Sequence, residues 1–201
     1  MREFEYAIID LDLPVFKCSA AAQKTWYDLY DGNGDLVGEF SSAKFCKEHL
    51  QELTEFLDVD VSDYTRVSRL VVGEFADAVE ALDGMIKHFL KISNAKQGWF
   101  SIGGKGNFRD GIGKLQMYKG KRSSEKPHHF KALREYAIKK YKPEVSSGVE
   151  SDDLISMRLY EDYLLGFKTK DKTQCKCVMI DLEKDCRTSP GYHLDPKIDP
   201  P

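Results

Sequence analysis

Glu5–Asp10, EYAIID, is a short apolar run that ends in an acid. Such a run suits a strand buried on both faces of a parallel sheet, its carboxyl end opening onto a site. Gly98–Ile102 (GWFSI) and Cys175–Asp181 (CKCVMID) read the same way. Around them lie helical patterns. Ser41 or Ser42 can cap a helix with Phe45, His49, Leu50, Leu53 and Leu57 on one stripe, and Glu74 to Ile92 carries Phe75, Val79, Leu82, Ile86 and Phe89. Lys126 to Lys142 is basic and amphipathic, and Asp152 to Leu165 is a fourth helix. Strands alternating with helices predict an α/β fold, a largely parallel central sheet with helices on both faces. Near the N-terminus, WYDLY and LVGEF flank DGNGD within Trp26–Phe40 and predict a β-hairpin. The Asp31, Asn33, Asp35 spacing also suits the start of a calcium loop. Leu36 stands where that loop needs glycine and Ser42 where it needs its last Glu, so the hairpin is preferred. Residues 1–191 read as one domain and 192–201 as a linker-like tail, because PGYHLDPKIDPP is too proline-rich to continue the sheet.

At 201 residues and 41% hydrophobic positions, the chain can bury one sizeable core without staples. Its five cysteines are odd in number and lack framework spacing, as expected of reduced thiols in a cytoplasm, the host's if the protein is viral. No run of eighteen apolar residues is present, so no membrane partner is expected. The net charge of −3 hides an asymmetry. Trp99 to Lys142 holds twelve Lys/Arg against three Asp/Glu, a block of +9 that leaves −12 elsewhere. A protein that meets phosphates on one surface and holds cations on another needs that division, although a solvated helix face would also produce a charge block.

Three acidic groups stand where strands end or helices begin: Asp10 with Asp12, Glu150 with Asp152 and Asp153, and Asp181 with Glu183 and Asp185. In an open parallel sheet such ends share one edge, the usual crevice for ligands. Carboxylates gathered there repel unless hard cations sit between them, and Mg²⁺ or Mn²⁺ takes oxygen ligands of this kind. One or two such ions would activate water against a phosphodiester. The bland alternative for Asp152 and Asp153 is a favourable charge at a helix N-terminus.

The string GGKGNFRDGIGKLQMYKGKR, Gly103–Arg122, resembles the phosphate-contacting segment of bacteriophage 5′-3′ exonucleases and flap endonucleases. GVESDDLIS (Gly148–Ser156) is similar to that family's Glu-Ala-Asp-Asp signature, EKDCRTSPG (Glu183–Gly191) to its Asp-Lys-Asp box with Pro-Gly, and IIDLDLPVFKCSAAA to its opening strand. These motifs stand in the family's order and span the chain apart from roughly residues 24 to 97. The resemblance implies a PIN-like nuclease domain that hydrolyses DNA or an RNA/DNA hybrid by a two-metal mechanism. It makes Asp10, Glu150, Asp152, Asp153, Glu183 and Asp185 the metal ligands, with Asp12 a weaker addition. It gives Lys119, Arg109 and Arg122 the catalytic phosphate-steering role, and makes Lys105, Asn107, Tyr118 and Lys121 further nucleic-acid contacts. Arg suits phosphate through paired donors, and Tyr118 offers a face for a terminal base or a core contact.

The chain also departs from the family pattern. No acid lies between Gly98 and Asp110, where the family often has an aspartate, and Glu183 replaces an aspartate. Family members continue past Pro-Gly into a helix-hairpin region that grips duplex DNA, so a chain ending at Pro201 is expected to be a minimal nuclease or the front of a longer one. The alternatives are a catalytically impaired nucleic-acid-binding domain and a PIN-like ribonuclease. Cys175 and Cys177 have no second Cys/His pair for zinc, and His128 and His129 are expected on the solvated or DNA-facing surface of the basic helix.

Overall fold

The computed structural model describes residues 2–106, 125–182 and 187–197. In chain order the elements are β1 (Phe4–Asp10), α1 (Asp12–Ala21), β2 (Gln23–Tyr30), β3 (Leu36–Phe40), α2 (Ala43–Leu57), β4 (Thr65–Val72), α3 (Phe75–Ser93) and β5 (Ala95–Ile102). They are followed by α4 (Phe130–Tyr141), β6 (Glu144–Val145), α5 (Ser151–Thr169), a short 3₁₀ turn (Lys172–Gln174), β7 (Cys177–Ile180) and β8 (His193–Leu194). The main sheet has the order β6-β5-β1-β7-β8, and all its pairings are parallel. This is the α/β architecture expected from the three apolar runs.

The alternation of β1 explains the layering. Ala7 and Ile9 face a core with Val15 of α1, Leu82 and Ile86 of α3 and Leu133 of α4. Ile8, one residue out of phase, joins Met179 of β7 and Ile155 and Leu159 of α5 on the opposite face. A strand buried on both sides needs no polar alternation, which is why EYAIID reads as continuous. Helices α1, α3 and α4 cover one face and α5 the other.

The hairpin over Trp26–Phe40 is also present, its turn closed by Asp31, which accepts from the Asn33 and Asp35 amides at 3.0 and 2.9 Å. It is part of a separate antiparallel sheet of order β3-β2-β4. Ser42 caps α2 by accepting from the Phe45 amide at 3.2 Å. The stripe expected on α2 is only partly covered. His49, Leu50 and Leu53 are half-buried on the face of the buried Cys46, whereas Phe45 and Leu57 are more than half exposed. The basic helix also starts later than expected, at Phe130, after Pro127.

One correction concerns the tail. His193 and Leu194 pair with Met179 and Ile180 as an edge strand, and Tyr192 packs on the core. The prolines at 190 and 196 flank the pairing residues instead of interrupting them, so the sheet extends beyond 191. Among the described residues, no helix is long and apolar enough to cross a membrane.

Candidate active site

The carboxyl ends of β1 and β5 and the N-termini of α1 and α5 meet at one edge of the main sheet. Asp10, the last residue of β1, accepts from the Asp12 amide at 2.9 Å and from the Ser151 hydroxyl at 2.8 Å. Ser151 also bonds Ser101 of β5, with 2.7 Å between hydroxyl oxygens. Both serines are buried, so the Asp10 carboxylate is fixed by a polar chain reaching from β5 through the start of α5. Burial, then repulsion from Asp12, push the Asp10 carboxyl up to about 7, against the pull of its two hydrogen bonds and with a further push from Asp152. A partly buried carboxylate crowded by like charges gains from a nearby cation.

Glu150 precedes α5 as its N-cap. Its side chain accepts from the Asp153 amide, while the Asp153 carboxylate accepts from the Glu150 amide at 3.1 Å. Asp152 accepts from the Asp153 amide at 3.0 Å. This reciprocal cap accounts for part of what these acids do, since it satisfies backbone donors that the helix leaves open. It also places these acids at the helix end whose Ser151 bonds Asp10, and Asp152 is near enough to act on the Asp10 charge.

Asp12 has a different role. Its carboxylate takes the Gly103 amide at 2.9 Å and the Arg134 guanidinium at 2.9 Å, and Arg134 also donates to the Gly103 carbonyl. A Cβ on Gly103 would lie 2.5 Å from Asp12 Oδ2. The space just after β5, where the sequence lacks an acid, is thus filled by Asp12 from the neighbouring element. The next residue, Gly104, passes too close to the Ser146 carbonyl for any side chain and donates to the Ser146 hydroxyl at 2.9 Å.

Beside this edge lies an open cleft of about 950 Å³. Asp10 and Asp12 line it together with Lys105, Lys126 and Arg134 from the basic block, Arg134 being paired with Asp12. Phe16 and Phe130 supply an apolar floor, their rings meeting edge to face at 6.3 Å, with Lys126 over the Phe130 ring. The cleft therefore sets acids against cations within one opening, as a site for a phosphate chain and a counter-cation requires.

Of the sequence-predicted site residues, the structure brings Asp10, Glu150, Asp152 and Asp153 to one edge and puts Lys105 in the cleft. Asn107, Arg109, Tyr118, Lys119, Lys121, Arg122, Glu183 and Asp185 lie outside the described residues. Asp181 directly follows β7 but is engaged on the β8 side, with His193 Nδ1 at 2.9 Å and Arg187 Nε at 3.7 Å. Among the described residues, no three acidic, His or Cys side chains form a group arranged to hold a metal. His129 Nε2 lies 2.8 Å from the Gly73 carbonyl. Ser101, Ser151 and Arg134 were not legible as site residues. The one available sign was the serine directly before Asp152 in a helix-opening position. In comparisons with known proteins, the chain matches no family model, no curated protein and no solved structure.

Proposed function

We propose that the chain is a divalent-metal-dependent nuclease that hydrolyses phosphodiesters of DNA or an RNA/DNA hybrid, in the manner of 5′-3′ exonucleases and flap endonucleases. The observation that supports this reading best is Asp10: a partly buried carboxylate at a parallel-strand end, crowded by Asp12 and Asp152, in a cleft that Lys105, Lys126 and Arg134 also line. That environment suits Mg²⁺ or Mn²⁺, with Asp10 as the anchoring ligand and Glu150, Asp152 and Asp153 as further donors, directly or through water. When bound, such a cation polarises water and the scissile phosphodiester.

The protein's own groups do the rest. Ser151 and Ser101 fix the Asp10 rotamer, so the carboxylate needs little reorganisation to take up charge. Arg134 neutralises Asp12 and keeps that carboxylate from repelling an incoming phosphate. Lys105 and Lys126 offer the cleft mobile cations for the phosphates, and Phe16 and Phe130 offer a surface for a base or sugar. Lys119, Arg109 and Arg122 belong to the same role by their place in the motif.

The test is incubation of the purified chain with end-labelled flap, nicked, blunt and hybrid substrates, in Mg²⁺, in Mn²⁺ and in EDTA. Metal-dependent cleavage lost in Asp10→Asn and Asp152→Asn, with binding retained or tightened, is the expected result. A folded, DNA-binding wild type inert with both metals on every substrate would replace this reading by the impaired binder.

A further inference from the structure

At the other end of α5 lies a second cavity, of about 580 Å³, within the range of small-ligand sites. Its walls are Tyr163 and Phe167 of α5, Tyr192 before β8 and the buried thiol of Cys175. The Tyr163 and Phe167 rings stack at 6.2 Å between centroids, with planes 25° apart, yet Phe167 is 68% exposed. The Cys175 and Tyr192 side of the hollow is held by specific contacts. Gly166 lets the Cys175 sulfur approach, and Arg2 ties Tyr192 Oη at 2.6 Å to the Lys172 carbonyl at 2.8 Å.

Three lysines rim this aromatic hollow: Lys168, Lys170 and Lys172. None of them makes an ion pair among the described residues. The nearby acids form no ion pair with them. Asp171 accepts from Thr173 and Gln174, Asp162 takes the Lys176 and Cys177 amides, and Glu161 pairs with Arg158. A cation near a helix C-terminus is ordinary, and Lys168 alone would need no ligand to explain it. Three ammonium groups without an ion-pair partner among the described residues, around an aromatic pair whose Phe167 is exposed, exceed that explanation.

We propose that this cavity takes an unpaired nucleotide of a single-stranded nucleic acid, its base on Phe167 and Tyr163 and its phosphates among Lys168, Lys170 and Lys172. Every base has a π-face, and stacking with a tracking row of cations is how single strands are held without sequence reading. A membrane surface fits less well, because the apolar area is a hollow that a flat bilayer does not fill. The inference rests on nucleic acid being the substrate class, though not on cleavage.

Fluorescence anisotropy of a labelled oligo-dT strand against salt, with the full chain, tests it. The lysine-to-alanine triple variant at 168, 170 and 172 should lower the salt slope by roughly 2, at about 0.7 for each phosphate no longer neutralised. Phe167→Ala should weaken binding on the order of tenfold. A strand bearing 5-iodouracil should crosslink to Phe167, Tyr163 or Tyr192 in the unaltered protein, which requires no variant to fold. These results without any cleavage would sustain this site while removing the nuclease reading. Cleavage with an unchanged salt slope, unchanged affinity and no such crosslink would remove this site alone. Tight binding to phosphatidylserine vesicles that is lost in the triple variant, with strand binding intact, would also overturn it.

Discussion

At the residue scale, Asp10 sets the strongest condition dependence. Its carboxyl stands near 7 when folded against an ordinary 3.8, so the native state holds an extra proton between those values. Stability from this group is fully present below pH 3.8 and is lost as pH rises through about 7. The loss amounts to at most about 4 kcal/mol. Chemical denaturation in EDTA should show this decline, and Asp10→Asn, which keeps the hydrogen-bond acceptor, should flatten it. His193 gives a second, smaller signature. Its bond to Asp181 raises its pKa above 6.5, so its contribution is fully present below 6.5 and is lost as pH rises through the raised value. His193→Gln should remove that pH dependence and loosen the edge pairing at Met179, read as faster amide exchange there. Ser151→Ala should cost roughly 1–3 kcal/mol, because Ser101 is left without its buried partner. The same variant should lower turnover more than substrate affinity if Ser151 acts by positioning Asp10; an unchanged turnover would count against that role.

At the element scale, α5 is stabilised by the acids that are also the candidate ligands. Asp153→Ala should cost about 1 kcal/mol in EDTA through disruption of the reciprocal cap, a change measurable by thermal melting before any cation is added. The elements legible in the sequence were those buried on both faces or strongly periodic: β1, β5, β7 and the helices α2, α3, α4 and α5. Those missed were α1, β4, β6 and β8. TRVSRLVV in β4 is an edge strand with every residue exposed, so burial imposed no alternation on it. The strands β6 and β8 have two residues each, and they exist because Ser101, Ile102, Met179 and Ile180 offer backbone partners, which no local pattern announces. Likewise Asp10, Glu150, Asp152 and Asp153 could be picked out by their places at strand and helix ends, whereas Ser101 and Ser151 could not. Serines become significant only when packing sets their hydroxyls 2.7 Å apart.

For the whole molecule, charge separation and cation binding are linked. Mg²⁺ or Mn²⁺ should raise the melting temperature by mass action, worth about 2.7 kcal/mol at a hundredfold excess over Kd. Asp10→Asn should abolish most of that rise, and an equal rise in both proteins would place the cation elsewhere. The 19 residues of α5 join the acidic edge at one end to the lysine-rimmed hollow at the other. A rigid helix of this length is a ruler of about 28 Å. At about 3.4 Å per stacked nucleotide, a strand must be roughly eight nucleotides long before it touches both ends at once. Shorter oligomers can occupy only one end, so affinity plotted against strand length should climb in a step near that size instead of a smooth slope.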